Sequence, residues 1–226
     1  MKAFFIISFT LTAAAAAFAA DYVAEGPGDP GAIMPSRADG TLELKWDNGT
    51  RRWSWAWYTG AGSWAGNDFD LSTLSTYRAI RKIRFYTRGN WPNNRWDGFR
   101  VAFFSFGGGI PGSRLWPTAS PGYYFRPSAP TGHIWIDINI GWTCPTNAFV
   151  AAEEQLYNYP NCDPYAVDNN PVFLRHSWHY SGGNWEPVNF PAQYGPYYNV
   201  MLRVVVDDEA VTVTPTSLGR VRALYL

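Results

Sequence analysis

The sequence predicts an all-β protein, a two-sheet antiparallel β-sandwich with jelly-roll-like connections in one domain. Short runs of alternating apolar and polar residues recur along the chain, separated by clusters of Gly, Pro, Asn and Asp. Aromatic residues make up 18% of the 226 residues, which also include 21 Gly and 17 Pro. This composition is typical of strands joined by turns. No stretch keeps a helical periodicity for more than about two turns.

The N-terminal 40 residues form two segments. Residues 1–20 combine one lysine, an apolar run and the ending Ala17-Phe18-Ala19. This pattern predicts a cleaved signal peptide, with an N-terminal membrane anchor as the alternative. Residues 21–40 are rich in Gly and Pro and predict a flexible lead-in. We therefore expect a secreted protein, extracellular or at the cell surface, with no transmembrane segment in the mature chain.

Alternating runs predict strands over the rest of the body. Asp47-Asn48-Gly49 lies between the first two runs and predicts a β-hairpin. Residues 71–80 fit a short helix or a turn, and residues 148–156 fit either a helix or a strand. All of the runs fall within one predicted β-sandwich domain, 41–209, at 41–46, 52–58, 79–87, 98–106, 132–140, 147–154, 172–180 and 198–207.

The last segment, 210–226, differs in character from the sandwich. Its apolar side chains should not stay solvated. The tail therefore docks on its own domain, pairs with another subunit, or is read by secretion machinery. The residues that suggest an assembly tail are Val211, Val213, Leu218, Val221 and Leu224.

The charge balance excludes one class of partner. Lys and Arg total 18 and Asp and Glu total 18, so the formal net charge is zero. A general nucleic-acid binder needs a basic excess to displace counterions. A net charge near zero also removes long-range repulsion between copies.

The two cysteines, Cys144 and Cys162, predict a disulfide in an oxidising compartment. A disulfide that closes the loop between them would stabilise the fold by about 3 kcal/mol, because it lowers the conformational entropy of the unfolded chain. The alternative, a two-thiolate metal site, lacks a nearby His or a second Cys pair.

No catalytic residues are predicted. The chain has no Gly-x-Ser-x-Gly motif, although a Ser-His-Asp triad stays open because its members need not be adjacent in sequence. His176 and His179 would be candidate ligands of a catalytic zinc if they lay on one face of a helix. They are three apart in a predicted strand, where their side chains point to opposite faces. Asp137 is the best single candidate for a glycosidase acid, which needs a second, facing carboxylate. We predict that the protein is not an enzyme.

Three carboxylates suggest a structural calcium site, the only cofactor predicted. Asp68, Asp70 and Asp168 lie among Asn residues in expected loops and offer hard oxygen ligands. The alternative is turn chemistry, in which Asn and Asp side chains bind their own backbone.

Tryptophans suggest either a core or a glycan platform. Trp53, Trp55 and Trp57 share one strand face. We favour the core interpretation, because Ser54 and Ala56 between them fit a solvent face. Aromatic residues in expected loops predict contacts with a glycan or a protein partner; these are Trp91, Trp96, Trp116, Trp185, Tyr194 and Tyr197.

Four short motifs support a family resemblance. They are Trp46-Asp47-Asn48-Gly49-Thr50, Gly66-Asn67-Asp68-Phe69-Asp70, Ile110-Pro111-Gly112 and Asn199-Val200-Met201-Leu202-Arg203-Val204. Over 41–207 this order resembles a widespread class of secreted bacterial jelly-roll domains. The resemblance implies an accessory or surface module without catalytic residues. The ending at 216–225 is similar to short C-terminal tails of exported bacterial proteins, which implies a sorting role.

We therefore expect a non-catalytic secreted structural protein, a self-assembling subunit of an extracellular filament or surface layer. Its partners are copies of itself or neighbouring surface proteins. Lysine, which commonly protects sheet edges, is scarce. A terminal segment that completes a neighbour's sheet makes a head-to-tail contact that does not close. The alternative is a carbohydrate-binding or adhesin module.

Overall fold

The structure is a computed structural model that describes residues 22–25, 41–72, 79–89, 98–119, 122–125, 132–168, 176–188 and 199–207. Within these segments all regular structure is β-strand, and no helix there is long and apolar enough to cross a membrane. The strands are β1 (Tyr22–Glu25), β2 (Thr41–Leu44), β3 (Trp53–Trp57), β4 (Ser63–Asp70), β5 (Ala79–Arg88), β6 (Phe99–Gly107), β7 (Ile110–Trp116), β8 (Tyr123–Phe125), β9 (His133–Thr143), β10 (Ala148–Gln155), β11 (Tyr165–Asp168), β12 (Ser177–Ser181), β13 (Asn184–Pro187), β14 (Asn199–Val200) and β15 (Leu202–Asp207).

The strands form two layers in which all pairings are antiparallel. The first layer has the order β13-β12-β4-β10-β6-β7, with β8 also paired to β6. The second layer combines the orders β1-β3-β11-β14 and β2-β15-β5-β9. Met201 joins these two parts, because its N–H donates to the Ala166 carbonyl and its own carbonyl accepts from the Tyr86 N–H.

The main core lies between the layers. Phe103 and Phe149 enter it from the first layer, and Trp57, Phe85 and Leu202 enter from the second. Phe85 and Phe99 pack edge-on in this core with centroids 4.2 Å apart, an arrangement that ring electrostatics favour. This shared interior makes the protein a β-sandwich.

A buried polar group ties the layers together where β14 meets β15. The Asn67 side-chain amide donates to the carbonyls of Val200 and Leu202, both at 2.8 Å. Ser177 donates to the Asn67 side-chain oxygen at 2.6 Å and accepts from the Val200 N–H at 2.9 Å. Buried backbone groups at the interruption are thereby paired, as burial requires.

The first layer curls, so that β13 at one end contacts β7 at the other. Rings from distant strands meet inside this curl. Phe104 and Trp185 have centroids 5.0 Å apart, and Phe106 and Trp178 have centroids 5.6 Å apart. A second apolar cluster thus lies on the face that points away from the main core.

The predicted all-β antiparallel sandwich is confirmed, while the jelly-roll order of connections stays a prediction. The hairpin predicted at Asp47-Asn48-Gly49 is wrong, because β2 pairs with β15 whereas β3 pairs with β1 and β11. Long-range bonds decide this: Asp47 accepts from Arg203, and the Asn48 N–H donates to Asp168. Residues 148–156 resolve as a strand, β10.

The core interpretation of the tryptophan stripe is confirmed for Trp55 and Trp57, which are buried. The expectation that Ser54 and Ala56 face solvent is wrong. Both are buried, and the Ser54 hydroxyl accepts from Arg51 Nη1 at 2.9 Å. Strand β3 is covered on both faces.

Candidate functional site

The edge of the second layer at β3 is completed by a strand from the lead-in. We call β1 and β3 the N-terminal edge pair. Tyr22 pairs with Trp57 at one end of the register and Glu25 with Ser54 at the other. In the sheet order, β1 is the edge strand and β3 lies between β1 and β11.

Strand β3 belongs to the core. The rings of Trp55 and Trp57 have centroids 4.4 Å apart, and Trp57 lies 5.2 Å from Tyr165. Gln155 binds both backbone groups of Trp57, accepting from its N–H and donating to its carbonyl, each at 2.8 Å. Strand β3 is therefore held in place by the core, and the edge that faces away from β11 is the one that pairs with β1.

A second feature lies where Trp142 of β9 contacts Phe103 of β6 and Trp116 of β7. We call Phe103, Trp116, Tyr123 and Trp142 the edge aromatic cluster. Trp142 stacks on buried Phe103 with centroids 5.0 Å apart, and Trp116 lies 5.4 Å from Tyr123. Tyr123 is 42% exposed and the two tryptophans are half-buried. The cluster therefore continues the core out to the surface.

Trp116 and Trp185 do not lie in exposed loops as predicted. Trp116 ends β7, and Trp185 lies within β13, where it packs on Phe104 and Tyr180. Both are half-buried. Adjacent Pro, Asn and Gly residues suggested loops, but the curl of the sheet places Trp185 against other rings.

An unpaired acid lies between the layers. Glu153, on β10, faces Ala65 of β4 and Val101 of β6. It is 1% exposed, and neither carboxyl oxygen has a hydrogen-bond partner in the described part of the protein. Burial, followed by the charge of Asp163, raises its pKa well above the ordinary value. The neutral, protonated form is therefore favoured.

His179 lies on the other side of Ala65 from Glu153. Its ring stacks on Trp57 with centroids 5.9 Å apart, and Nε2 is 3.6 Å from Glu186. Burial lowers the pKa of His179, against the opposing effect of Glu186. The neutral imidazole is favoured, so it acts here as a packing group.

The outward face of the second layer carries a charge network around Arg203. This buried guanidinium donates from Nε to Asp47 at 2.9 Å and from Nη1 to Glu43 at 3.2 Å. Its carbon lies 4.1 Å from the centroid of Trp135. A buried cation that is paired on its edge and stacked on its face is a structural element.

Asp137, the best single candidate for an acid catalyst, belongs to the same network. Lys82 donates to it at 2.8 Å and Arg84 at 2.6 Å. Arg84 also donates to Glu43 at 2.8 Å. Asp137 is thus bound by two cations of this network, and the glycosidase mechanism would need a second carboxyl facing it.

The carboxylates predicted to bind calcium lie on strands rather than in loops. Asp68, on β4, accepts from Trp178 Nε1 at 2.6 Å and contacts His176 Nδ1 at 2.9 Å. Asp70, at the end of β4, accepts from the Ser72 N–H at 2.7 Å. The two side chains thus bind separate protein groups.

Asp168, on β11, is buried and accepts from the Asn48 N–H at 2.6 Å and from Asn199 at 3.0 Å. Over the described ranges, no group of three or more His, Cys, Asp or Glu side chains is placed to hold a metal ion. Calcium binding stays a prediction from the sequence.

The predicted disulfide is absent from the structure, in which Cys144 and Cys162 are both free and buried. Cys144 lies just before β10, and its thiol donates to the Thr146 carbonyl at 3.3 Å. Burial raises the pKa of Cys162 to about 12, so its thiol is unreactive.

Several predicted residues lie outside the described part of the chain, together with residues 1–21, 26–40 and 208–226. The contact residues among them are Trp91, Trp96, Tyr194 and Tyr197, and the tail residues are Val211, Val213, Leu218, Val221 and Leu224.

Comparisons of this chain with protein-family models, with curated proteins and with solved structures gave no match. The resemblance to secreted jelly-roll domains thus stays a prediction from four short motifs. What the protein does has to be argued from its own geometry.

Sequence reasoning missed three residues of these sites. Gln155 and Glu153 lie near the end of a run that fits a helix as well as a strand. Their burial could not be predicted from the sequence, because it depends on the position of β10 between its neighbours in the sheet. Trp142 follows the alternating isoleucines of β9 at the correct spacing for the inward face. Extending that alternation by one step would have identified it.

Proposed function

We propose that the protein is a non-catalytic structural subunit that is exported and assembles with copies of itself into an extracellular filament or surface layer. One observation carries the proposal: the edge of β3, a core strand, is completed by four residues of the lead-in segment. A strand added at a sheet edge binds through main-chain hydrogen bonds. Such contacts serve equally within a chain and between chains.

The composition supports this use. Zero net charge imposes no long-range repulsion on closely packed copies. The charge network around Arg203 and the unpaired Glu153 are both accounted for as internal, structural groups. The apolar tail, 210–226, offers a second segment for contact with another copy.

The test compares the full-length chain with variants of its two terminal segments. We expect the unaltered chain to form species larger than a monomer whose share grows with concentration, measured by light scattering after size exclusion and by negative-stain microscopy. The double variant Val23→Pro/Ala24→Pro should abolish them. Successive N–H groups of a strand point to opposite edges, so one of these prolines removes an N–H that faces β3.

The matched control is Ala32→Pro, which adds a proline in the Pro-containing segment 26–40 and should assemble normally. Deletion of 210–226 measures the share of the tail. An unaltered chain that stays monomeric up to about 1 mM, the scale of effective concentrations along a linker, would contradict the proposal.

A second function is favoured by the edge aromatic cluster, namely that of a carbohydrate-binding or adhesin module. Rings that are tilted against one another continue from buried Phe103 through Trp116 to exposed Tyr123, and they offer sugar rings an apolar aromatic surface. Trp116, predicted from the sequence as a glycan contact, lies at the centre of this cluster. We treat glycan binding as the alternative.

A further inference from the structure

We infer that the strand 22–25 is exchanged between copies, so that it completes β3 of a second copy of this chain and the joint repeats from head to tail. This inference rests on the proposed function, because it names the partner and the contact by which the subunits assemble.

The contact is made by the backbones of both strands. Within one chain, 22–25 pairs antiparallel with Ser54–Trp57 in a continuous register. The same four residues of another copy present the same backbone groups. The pairing of 22–25 with β3 within one chain therefore shows how the same residues of a second copy would pair with β3.

The length of the connection between β1 and β2 decides whether β1 can reach β3 of another copy. Fifteen residues, 26–40, connect β1 to β2. Fully extended, such a segment spans about 56 Å. A compact body of this size has a diameter of about 40 Å. The connection is therefore long enough to reach β3 of a neighbouring copy as well as its own.

The symmetry of the contact follows from the two surfaces that it joins. Each copy donates a strand from its N-terminal segment and accepts one at β3, two different surfaces of the same molecule. A contact between unlike surfaces forms an open chain unless its rotation happens to close a ring. The joint thus yields a filament, or a row within a surface layer.

Pairing of β1 within its own chain competes with exchange. Pairing within the chain benefits from an effective concentration of about 1 mM, the scale for a short linker. Exchange then wins where chains are crowded, as at a cell surface, or where pairing within the chain is blocked. This gives two ways to move the equilibrium in an experiment.

The first experiment blocks exchange. The double variant Glu25→Cys/Ser54→Cys places two thiols at paired positions of β1 and β3, and oxidation at low concentration locks the strand onto its own chain. We expect locked chains to lose assembly and to regain it after reduction. Locked chains that assemble as well as reduced ones would overturn the inference.

The second experiment detects exchange directly. A chain carrying Glu25→Cys is mixed with a chain carrying Ser54→Cys, oxidised and examined for a disulfide between the two chains by peptide mass spectrometry. We expect this product in assembled material. Mixing Glu25→Cys with Ala56→Cys, which is two residues out of register, should give roughly fivefold less, because diagonal neighbours are about 7–8 Å apart. Equal yields would overturn the inference.

The third experiment shortens the connection. Deleting 28–39 leaves three residues between β1 and β2, which span about 14 Å instead of about 56 Å and restrict the reach of 22–25 to its own β3. This variant should stay monomeric where the natural chain assembles, and a control with a Gly/Ser segment of the original length should behave as the natural chain.

The outcomes separate the two claims. If the natural chain assembles but the lock leaves assembly intact and no cross-chain disulfide forms, exchange is wrong and the proposed function stands on another contact. If the natural chain does not assemble, both are wrong.

Discussion

Among the single residues, Glu153 departs furthest from what burial normally permits. Its carboxyl lies between the layers without a hydrogen-bond partner in the described structure. An isolated charge there would cost far more than a neutral acid. Burial therefore raises the pKa of Glu153, which means that the folded state holds the proton more tightly than the unfolded chain does.

Stability should therefore depend on pH through this residue. Because the folded pKa exceeds the unfolded value of about 4.3, the proton contributes stability that is lost as pH rises through the interval between them. We expect Glu153→Gln, which keeps the shape without ionising, to raise the free energy of unfolding at pH 7 by more than about 1 kcal/mol. It should also flatten the fall in stability with rising pH, measured by urea denaturation from pH 4 to pH 8.

The control for this prediction is Glu186→Gln on an exposed strand, which should change stability by less than about 0.5 kcal/mol. A Glu153→Gln variant that is no more stable than the natural chain at pH 7, with an unchanged pH dependence, would show that folding does not raise the pKa of Glu153.

Carboxylates also mark a limit of sequence reasoning. Asp68 and Asp168 have the right chemistry for calcium and for hydrogen-bond acceptance alike. The donors that occupy them, Trp178 and Asn48, are 110 and 120 residues away in sequence. Local pattern identifies an acceptor, but only the long-range fold supplies its partner.

Strand β4 shows why some elements escape prediction. Gly66-Asn67-Asp68 has the composition of a turn, yet the whole segment pairs with β10 on one side and β12 on the other. Asn67 donates there to the carbonyls of Val200 and Leu202 in the other layer. The polar residue signals a contact between layers, which local alternation does not encode.

Gly66 allows close approach of β4 and β10. A Cβ at this position would overlap the Ala151 carbonyl oxygen and lie 2.6 Å from Ala152 Cα. Both are backbone atoms, so the two strands would have to separate. We expect Gly66→Ala to lower the free energy of unfolding by about 3 kcal/mol or more.

The matched control is Gly107→Ala at the end of β6, where nothing lies within 4 Å of the added carbon. It should cost less than about 1 kcal/mol, measured by the same chemical denaturation. Equal losses for the two variants would mean that the close approach at Gly66 does not exist in solution.

For the whole molecule, alternation and turn composition were enough to predict an all-β sandwich, because one buried face per strand imposes a period of two. They could not predict which strands pair. The turn at Asp47-Asn48-Gly49 separates two strands that enter different parts of the second layer, and its partners are Arg203 and Asp168. Contacts between distant parts of the chain override a strong local hairpin signal.

Substitutions in the edge aromatic cluster distinguish the two candidate functions, assembly and glycan binding. If the edge aromatic cluster binds glycans, Trp116→Ala and Tyr123→Ala should each weaken binding to polysaccharide by roughly fivefold, the effect of about 1 kcal/mol of ring contact. Tyr157→Ala removes an equally exposed ring outside this cluster and should have no effect. Isothermal titration with a ligand chosen from a glycan array measures the change.

Unchanged affinity in both cluster variants would exclude this surface as the glycan site. Loss of assembly in Tyr123→Ala, without any change in glycan affinity, would instead place this cluster at a subunit contact.

The shared strand of the second layer has a consequence for synthesis. Residues 199–207 pair with β11 at one end, with β2 at the other, and with β5 along their length. At about 5–20 residues per second, β2 and β5 wait many seconds on the ribosome for this partner. Until then the second layer cannot close. Such a delay postpones closure of the second layer until the strands at 199–207 have been synthesised.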